Sequence, residues 1–159
     1  MASGLLCDHK IPLRLKGKFY RTVIRPAILY ESECWVVNHT HKQKMRVAEM
    51  QMLRWMCGYT KMDKIRNEHI CEKIGVASID EKMRETRLRC LGHVLRRPVE
   101  APVRRVDFRE SSQHKRGRGK PKKIWWVTYK KDIAHLRIEE DMVHDRTQWC
   151  NRIHAADST

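Results

Sequence analysis

The chain has 159 residues, with 34 Lys and Arg against 19 Asp and Glu, so its formal net charge is +15 and its pI is near 9.9. Because 41% of its residues are hydrophobic, it can bury a core, which excludes a disordered tail. The absence of an apolar run of about 18 residues excludes a membrane-spanning helix, and the charge predicts a polyanionic partner, nucleic acid first.

The N-terminal ten residues lack the charged start and the long apolar centre of a secretory signal. We therefore expect a protein that is not secreted and that stays in a reducing compartment. The six cysteines contain no C-x-x-C pair, so they predict free thiols, no metal site and no cofactor.

The first two predicted helices carry most of the aromatic and methionine side chains of the N-terminal half. Apolar residues at helical spacing over residues 13–37 predict a helix that Pro26 kinks or splits. Thr40 and Gln43 predict a capping box that opens a second helix, which ends at Gly58.

The second helix is apolar on nearly every side, which predicts that it is covered by other parts of the chain or by a partner. We expect an incompletely covered apolar face in the monomer, formed by Trp35, Val47, Leu53 and Trp55.

Two further helices are predicted before the first long break in the pattern. A short helix over Asn67–Lys73 turns at Gly75, and Ser78 with Glu81 forms a capping box for a helix that ends before Pro98. The inner side of this last helix is predicted to consist of Ile79, Met83, Cys90, Leu91 and Val94. Its other side is predicted to consist of Lys82, Glu85, Arg89, His93 and Arg96, and to be either a solvated surface or a phosphate-contacting one.

Residues 98–123 lose the helical period and contain three of the five prolines, which predicts a linker. From Arg104 to Lys123 nine Lys and Arg stand against two acidic residues, and we expect this linker to be poorly ordered. Helical spacing returns at Trp126, and a last helix is predicted from about Glu140.

The basic strap, residues 114–123, reads HKRGRGKPKK. Its first interpretation is a clamp on phosphate backbone, its second a nuclear-import signal. Its third is a minor-groove reader, because Arg116-Gly117-Arg118-Gly119 is close to the core of AT-hook peptides, although Lys120 departs from that core.

Catalytic motifs are missing from the sequence. It contains no phosphate-binding loop, nucleophile elbow or zinc-protease motif, and no paired aspartates in the setting that a two-metal polymerase needs. We therefore expect no enzymatic activity.

Five ordered blocks of the chain resemble the C-terminal end of plant LINE-type, non-LTR retrotransposon reverse transcriptases. They are LKGKFYRTVIRPAILYESECW, VAEMQMLRWMCGYTKMDKIRNEHI, IDEKMRETRLRCLGHVLRRP, RGRGKPKKIW and DRTQW. The resemblance implies a helical thumb followed by a basic C-terminal region that holds nucleic acid. The polymerase palm and the endonuclease of the family lie upstream of these blocks, so no family activity carries over to a residue of this chain.

Together these patterns predict an all-α protein: a small, thumb-like helical bundle over residues 1–97, the basic linker over 98–123 and a C-terminal helical pair over 124–159. We expect a non-catalytic fragment that grips DNA or RNA backbone, in the nucleus or otherwise the cytoplasm. The predicted contacts are Lys82, Arg89, His93, Arg96, Arg104, Arg105, Lys115, Arg116, Arg118, Lys120, Lys122 and Lys123.

Two alternatives remain open at this point. Helices built to pack against absent domains would leave apolar faces that bind a protein partner or self-associate. Departures from the family pattern, among them Cys90 in place of an aromatic residue, also fit a retrotransposon relic with no selected function.

Overall fold

The computed structural model describes residues 2–34, 39–104 and 125–157, and within these ranges the regular structure is entirely helical. The predicted all-α fold is therefore confirmed. The α-helices are α1 (Ala2–Cys7), α2 (Leu13–Phe19), α3 (Arg25–Ile28), α4 (His39–Cys57), α5 (Asn67–Ile74), α6 (Ile79–Leu95), α7 (Trp125–Leu136) and α8 (Arg146–Ile153).

The chain divides into two compact units. Unit 1 consists of residues 1–30, 37–83 and 155–159, and unit 2 of residues 31–36 and 84–154. The boundary between the units falls within α6, and the chain after α8 returns to unit 1.

The first predicted helix is split, as Pro26 suggested, but it is shorter than predicted. A π-helical turn over Tyr20–Ile24 separates α2 from α3, and Pro26 occupies the start of α3. A prolyl nitrogen has no hydrogen to donate to the preceding turn, so the regular ladder is interrupted there. The α-helix ends at Ile28, and Glu31 adopts a positive φ of 56°, so the predicted continuation toward residue 37 is wrong.

Of the two predicted ends of α4, the first is wrong and the second is confirmed. Thr40 lies inside α4, which already includes His39, so its predicted role as N-cap is wrong. The stop at Gly58 is confirmed, because this glycine follows the last helical residue with a φ of 72°, a conformation that side-chain-bearing residues rarely adopt.

The predicted signals around α5 and α6 are confirmed. Gly75 caps α5 with a φ of 72°. The backbone N–H of Ser78 donates to Glu81 Oε2 at 3.2 Å, and the backbone N–H of Glu81 donates to Ser78 Oγ at 3.4 Å. This reciprocal pair is the capping box that the sequence predicted at the start of α6.

The C-terminal helix begins later than predicted. Residues Glu140–His144 form a 3₁₀ helix, and α8 starts only at Arg146. Asp145 causes this start, because its Oδ1 accepts the backbone N–H groups of Thr147 at 2.9 Å and Gln148 at 3.0 Å.

The core of unit 1 joins α1, the π-helical turn, α4 and α5. Its buried apolar side chains are Leu6, Tyr20, Leu53, Met56, Ile70, Ile74 and Val76. The predicted open face of α4 is thus partly wrong, because Leu53 is fully buried. Val47 and Trp55 remain 45% and 59% exposed, while Trp35 lies outside the described residues.

A buried carboxylate in unit 1 organises polar groups that the sequence did not place in a core. Glu49 on α4 accepts the Tyr20 hydroxyl at 2.6 Å and the Ile79 backbone N–H at 3.2 Å, and pairs with Arg25 Nη2 at 3.3 Å. Arg25 Nη1 in turn lies 2.8 Å from Asp157 Oδ1. Burial and the nearby Glu49 raise the pKa of Tyr20 well above its ordinary value, so its phenol keeps its proton.

Unit 2 packs α6, α7 and α8 around one apolar cluster. Its buried members are Leu88, Leu91, Tyr129, Ile133, Ile138, Val143, Trp149 and Ile153. A buried ion pair crosses from α6 to α7, where Arg87 Nη2 lies 2.7 Å and Arg87 Nε 2.8 Å from Asp132 Oδ2. Arg87 is only 1% exposed, so its buried charge is compensated by this carboxylate, which also lies 3.6 Å from Arg84 Nε through Oδ1.

Candidate nucleic-acid interface

The burial of side chains on α6 agrees with the predicted inner side and differs in part from the predicted outer side. Ile79, Met83, Leu91 and Val94 are buried and Cys90 is half-buried. On the predicted outer side Arg89 and His93 are exposed, but Glu85 is only 6% exposed, so its predicted outward position is wrong.

Lys82 is the first of the predicted cations of α6. It belongs to unit 1, where its Nζ donates to the carbonyl oxygen of Ala155 at 2.5 Å and lies 3.6 Å from Asp157 Oδ2. Lys82 therefore has contacts within unit 1, and its predicted role in phosphate binding stays a prediction.

A close approach between α6 and α8 builds the surface that remains. A Cβ added at Gly92 would lie 2.6 Å from Trp149 Nε1, so only glycine admits the indole at this distance. The fully buried Trp149 donates from Nε1 to the Leu88 carbonyl oxygen at 3.2 Å. Since Trp149 lies one turn after Arg146, this packing places the beginning of α8 beside the last turns of α6.

Five cationic or titratable side chains gather on this surface of unit 2, and we call them the His93 cluster. Its members are Arg89, His93, Arg96 and Arg97 from α6 and the turn that follows it, and Arg146 from α8. Arg96 is half-buried because its Nη1 donates to the Val143 carbonyl oxygen at 3.0 Å, and the other four are exposed. Helical spacing places Arg89 on the same side of α6 as His93, and Arg96 and Arg97 follow in the turn after the helix ends at Leu95.

The electrostatic effect of this gathering appears at His93. Partial desolvation of the ring lowers the pKa of His93 below its ordinary value, and repulsion by the neighbouring guanidinium groups lowers it further. In decreasing order, these groups belong to Arg96, Arg146, Arg89 and Arg97. The imidazole is therefore neutral at pH 7, among fixed positive charges.

Carboxylates on the same elements have contacts of their own. Glu85 Oε1 pairs with Arg89 Nη2 at 2.5 Å and lies 3.5 Å from His154 Nδ1. Asp145 caps the backbone of α8. The Arg89 side chain is nevertheless 57% exposed, so it reaches solvent while one of its nitrogens is held by Glu85.

Of the remaining predicted contact residues, the structure describes Arg104. Arg104 ends a 3₁₀ turn over Pro102–Arg104 and is half-buried. The other predicted cations of the linker, Arg105, Lys115, Arg116, Arg118, Lys120, Lys122 and Lys123, lie outside the described residues. The sequence prediction also missed Arg97 and Arg146, although the Asp145-Arg-Thr-Gln signature of a helix start could have indicated the second.

Two other classes of site are absent from the described residues. Among residues 2–34, 39–104 and 125–157, no three His, Cys, Asp or Glu side chains are grouped so that they could hold a metal ion. None of the helices described in those ranges is long and apolar enough to cross a membrane.

No protein-family model matches the chain, and neither a curated protein nor a solved structure is significantly similar to it. The interface must therefore be judged on its own geometry and charge.

Proposed function

We propose that this protein is a non-catalytic nucleic-acid-binding module that holds phosphate backbone through the His93 cluster and the basic strap. The observation that carries the proposal is the His93 cluster, in which cations from α6 and α8 share one side of unit 2. Guanidinium groups suit phosphate because their planar fork donates two parallel hydrogen bonds to two oxygens.

The charge of the whole chain supports the same reading. A formal net charge of +15 attracts any polyanion and accelerates its association. The basic strap adds cations in a stretch that has no apolar residue, which is typical of backbone rather than base recognition.

The resemblance to the C-terminal region of LINE-type reverse transcriptases supports this function independently. We include in the proposal that the chain derives from such a retrotransposon, lacks its polymerase chemistry and acts in the nucleus. The helical character of both units agrees with the helical thumb that the resemblance implies.

The alternative of self-association through α4 is less well supported. Val47 and Trp55 are exposed, but Lys44 and Gln51 alternate with them along the same side of the helix. Polar side chains thus divide the apolar surface, whereas stable interfaces bury a continuous patch.

The dependence of affinity on salt tests the proposal. Binding of a short DNA duplex and of the corresponding RNA is measured by fluorescence anisotropy over a series of NaCl concentrations. For the DNA duplex each phosphate contact contributes about −0.9 to the slope of log K against log salt. An Arg97→Ala/Arg146→Ala variant should flatten the slope by up to about 2 units, and alanine replacement of the six strap cations by several. Those six residues are Lys115, Arg116, Arg118, Lys120, Lys122 and Lys123.

A charge-matched control separates contacts from composition. The Lys18→Ala/Lys44→Ala variant removes two exposed cations of unit 1 and should change the slope less than the cluster variant. Equal slopes for the cluster and control variants would refute a phosphate site at the His93 cluster. A loss of affinity confined to A·T-rich duplex in the strap variant would favour groove reading over a backbone clamp.

A further inference from the structure

We infer that a phosphate group binds the His93 cluster together with one proton, which His93 takes from solvent as the phosphate arrives. The ligand is a phosphodiester of the nucleic acid, and binding becomes tighter as the pH falls. This inference rests on the proposed function and adds that phosphate binding is coupled to the uptake of one proton.

The position of His93 is the first step of the argument. The ring is exposed on α6, with Arg89 one turn before it and Arg96 and Arg97 one turn after it. Arg146 approaches from α8, which the contact between Gly92 and Trp149 holds against α6. These arginines act on His93 from both sides along α6 and from α8, so a phosphate that they attract arrives next to the imidazole.

The charge of His93 is the second step. In the free protein partial desolvation and the surrounding arginines lower the pKa of His93 and favour the neutral ring, in which one nitrogen cannot donate to a phosphate oxygen. A bound phosphate supplies negative charge that offsets the arginines and favours the imidazolium, in which both nitrogens donate. Phosphate binding therefore raises the affinity of His93 for a proton, and by linkage a proton raises the affinity for phosphate.

The sign and the range of the effect follow from these two states. The pKa of His93 is lower in the free protein than in the complex, so affinity increases as the pH falls from the bound value toward the free value. Outside this interval both states carry the same number of protons and the dependence disappears. For one proton the steepest change in Kd is about tenfold per pH unit.

The experiment compares proton linkage in three proteins. Binding of a short DNA duplex without terminal phosphates is measured between about pH 5 and pH 8 at constant ionic strength, where phosphodiesters do not titrate. The wild type is compared with His93→Gln, which cannot titrate, and with His135→Gln, which removes an exposed histidine of α7 in the same unit. We expect His93→Gln to lose a component of the pH dependence that approaches tenfold per unit, and His135→Gln to keep it.

A second measurement does not depend on the variants. The His93 ring of the wild type is titrated by NMR alone, with the duplex and with inorganic phosphate. A higher pKa of His93 in the duplex complex supports the inference.

An unchanged value, or equal pH dependence in the wild type and His93→Gln, would overturn the inference while leaving the proposed function intact. If the pKa of His93 rose with inorganic phosphate but not with the duplex, the cluster would be a site for free phosphate, and the inference would also be overturned. If the wild type did not bind the duplex in a salt-dependent way, the proposed function and the inference would both be refuted.

Discussion

Replacement of Gly92 by alanine tests the contact on which the interface depends. In an exposed helix interior, glycine to alanine stabilises by about 1 kcal/mol, because alanine loses less backbone entropy on folding. At Gly92 the added methyl group would lie 2.6 Å from Trp149 Nε1 and 3.1 Å from Trp149 Cδ1. Comfortable contacts between such atoms are about 3.5 Å or longer, so the indole must move by roughly 1 Å.

The geometry decides which of the two effects is larger. Trp149 is fully buried, so its displacement disturbs the core of unit 2 and strains its hydrogen bond to the Leu88 carbonyl. Overpacking of a core costs about 1–3 kcal/mol, and a weakened hydrogen bond adds about 1 kcal/mol. After the gain in helix propensity is subtracted, we expect Gly92→Ala to lower the free energy of unfolding by about 1–3 kcal/mol.

The assay is equilibrium unfolding in urea, followed by tryptophan emission and by far-UV circular dichroism. Gly4→Ala is the matched control, because Gly4 also lies in a helix but has nothing within 4 Å of an added Cβ, so this substitution should be neutral or stabilising. If Gly92→Ala behaved like Gly4→Ala, the close packing of α8 on α6 would be refuted, and with it the position of Arg146 in the His93 cluster.

Two further predictions concern buried charges. Asp132→Ala should lower the free energy of unfolding by about 3–5 kcal/mol, because it leaves the Arg87 guanidinium buried without its carboxylate. The exposed Asp141→Ala is its control in urea unfolding, and equal midpoints for the two variants would contradict the ion pair. Asp157→Asn should destabilise unit 1 more at pH 7 than at pH 3. Desolvation raises the pKa of Asp157, but the Ala77 backbone N–H and the Arg25 charge lower it further, so that it lies below its ordinary value. The stability that this carboxylate contributes is present above the unfolded pKa and is lost as the pH falls through the folded pKa; a destabilisation by Asp157→Asn that did not change with pH would count against the contact.

Local chemistry explains which parts of the fold could be predicted from the sequence. Gly58, Gly75 and the Ser78–Glu81 box act through backbone geometry within a few residues, and each stands where it was predicted. The N-cap prediction at Thr40 is wrong because α4 already includes His39. A capping signature expresses a local preference and does not fix the first residue of a helix.

Long-range contacts explain most of what could not be predicted. Glu85 has the periodicity of a surface residue, but it is buried, and its carboxylate contacts Arg89 and His154. Arg87 and Asp132 are 45 residues apart, and nothing in the local sequence pairs them. The His93 cluster was found in part, since α6 periodicity placed Arg89, His93 and Arg96 together, whereas Arg146 joins them only through tertiary packing.

The contact between Arg25 and Asp157 has a consequence for the order in which the protein is made. The two residues are 132 positions apart, with all of unit 2 between them in the sequence. At translation rates of about 5–20 residues per second, the ribosome adds Asp157 roughly 7–26 s after Arg25. Throughout that interval the nascent segment that becomes unit 1 holds a guanidinium without one of its two carboxylate partners, while unit 2 is being completed. Unit 1 therefore cannot form this contact until the whole of unit 2 has been synthesised.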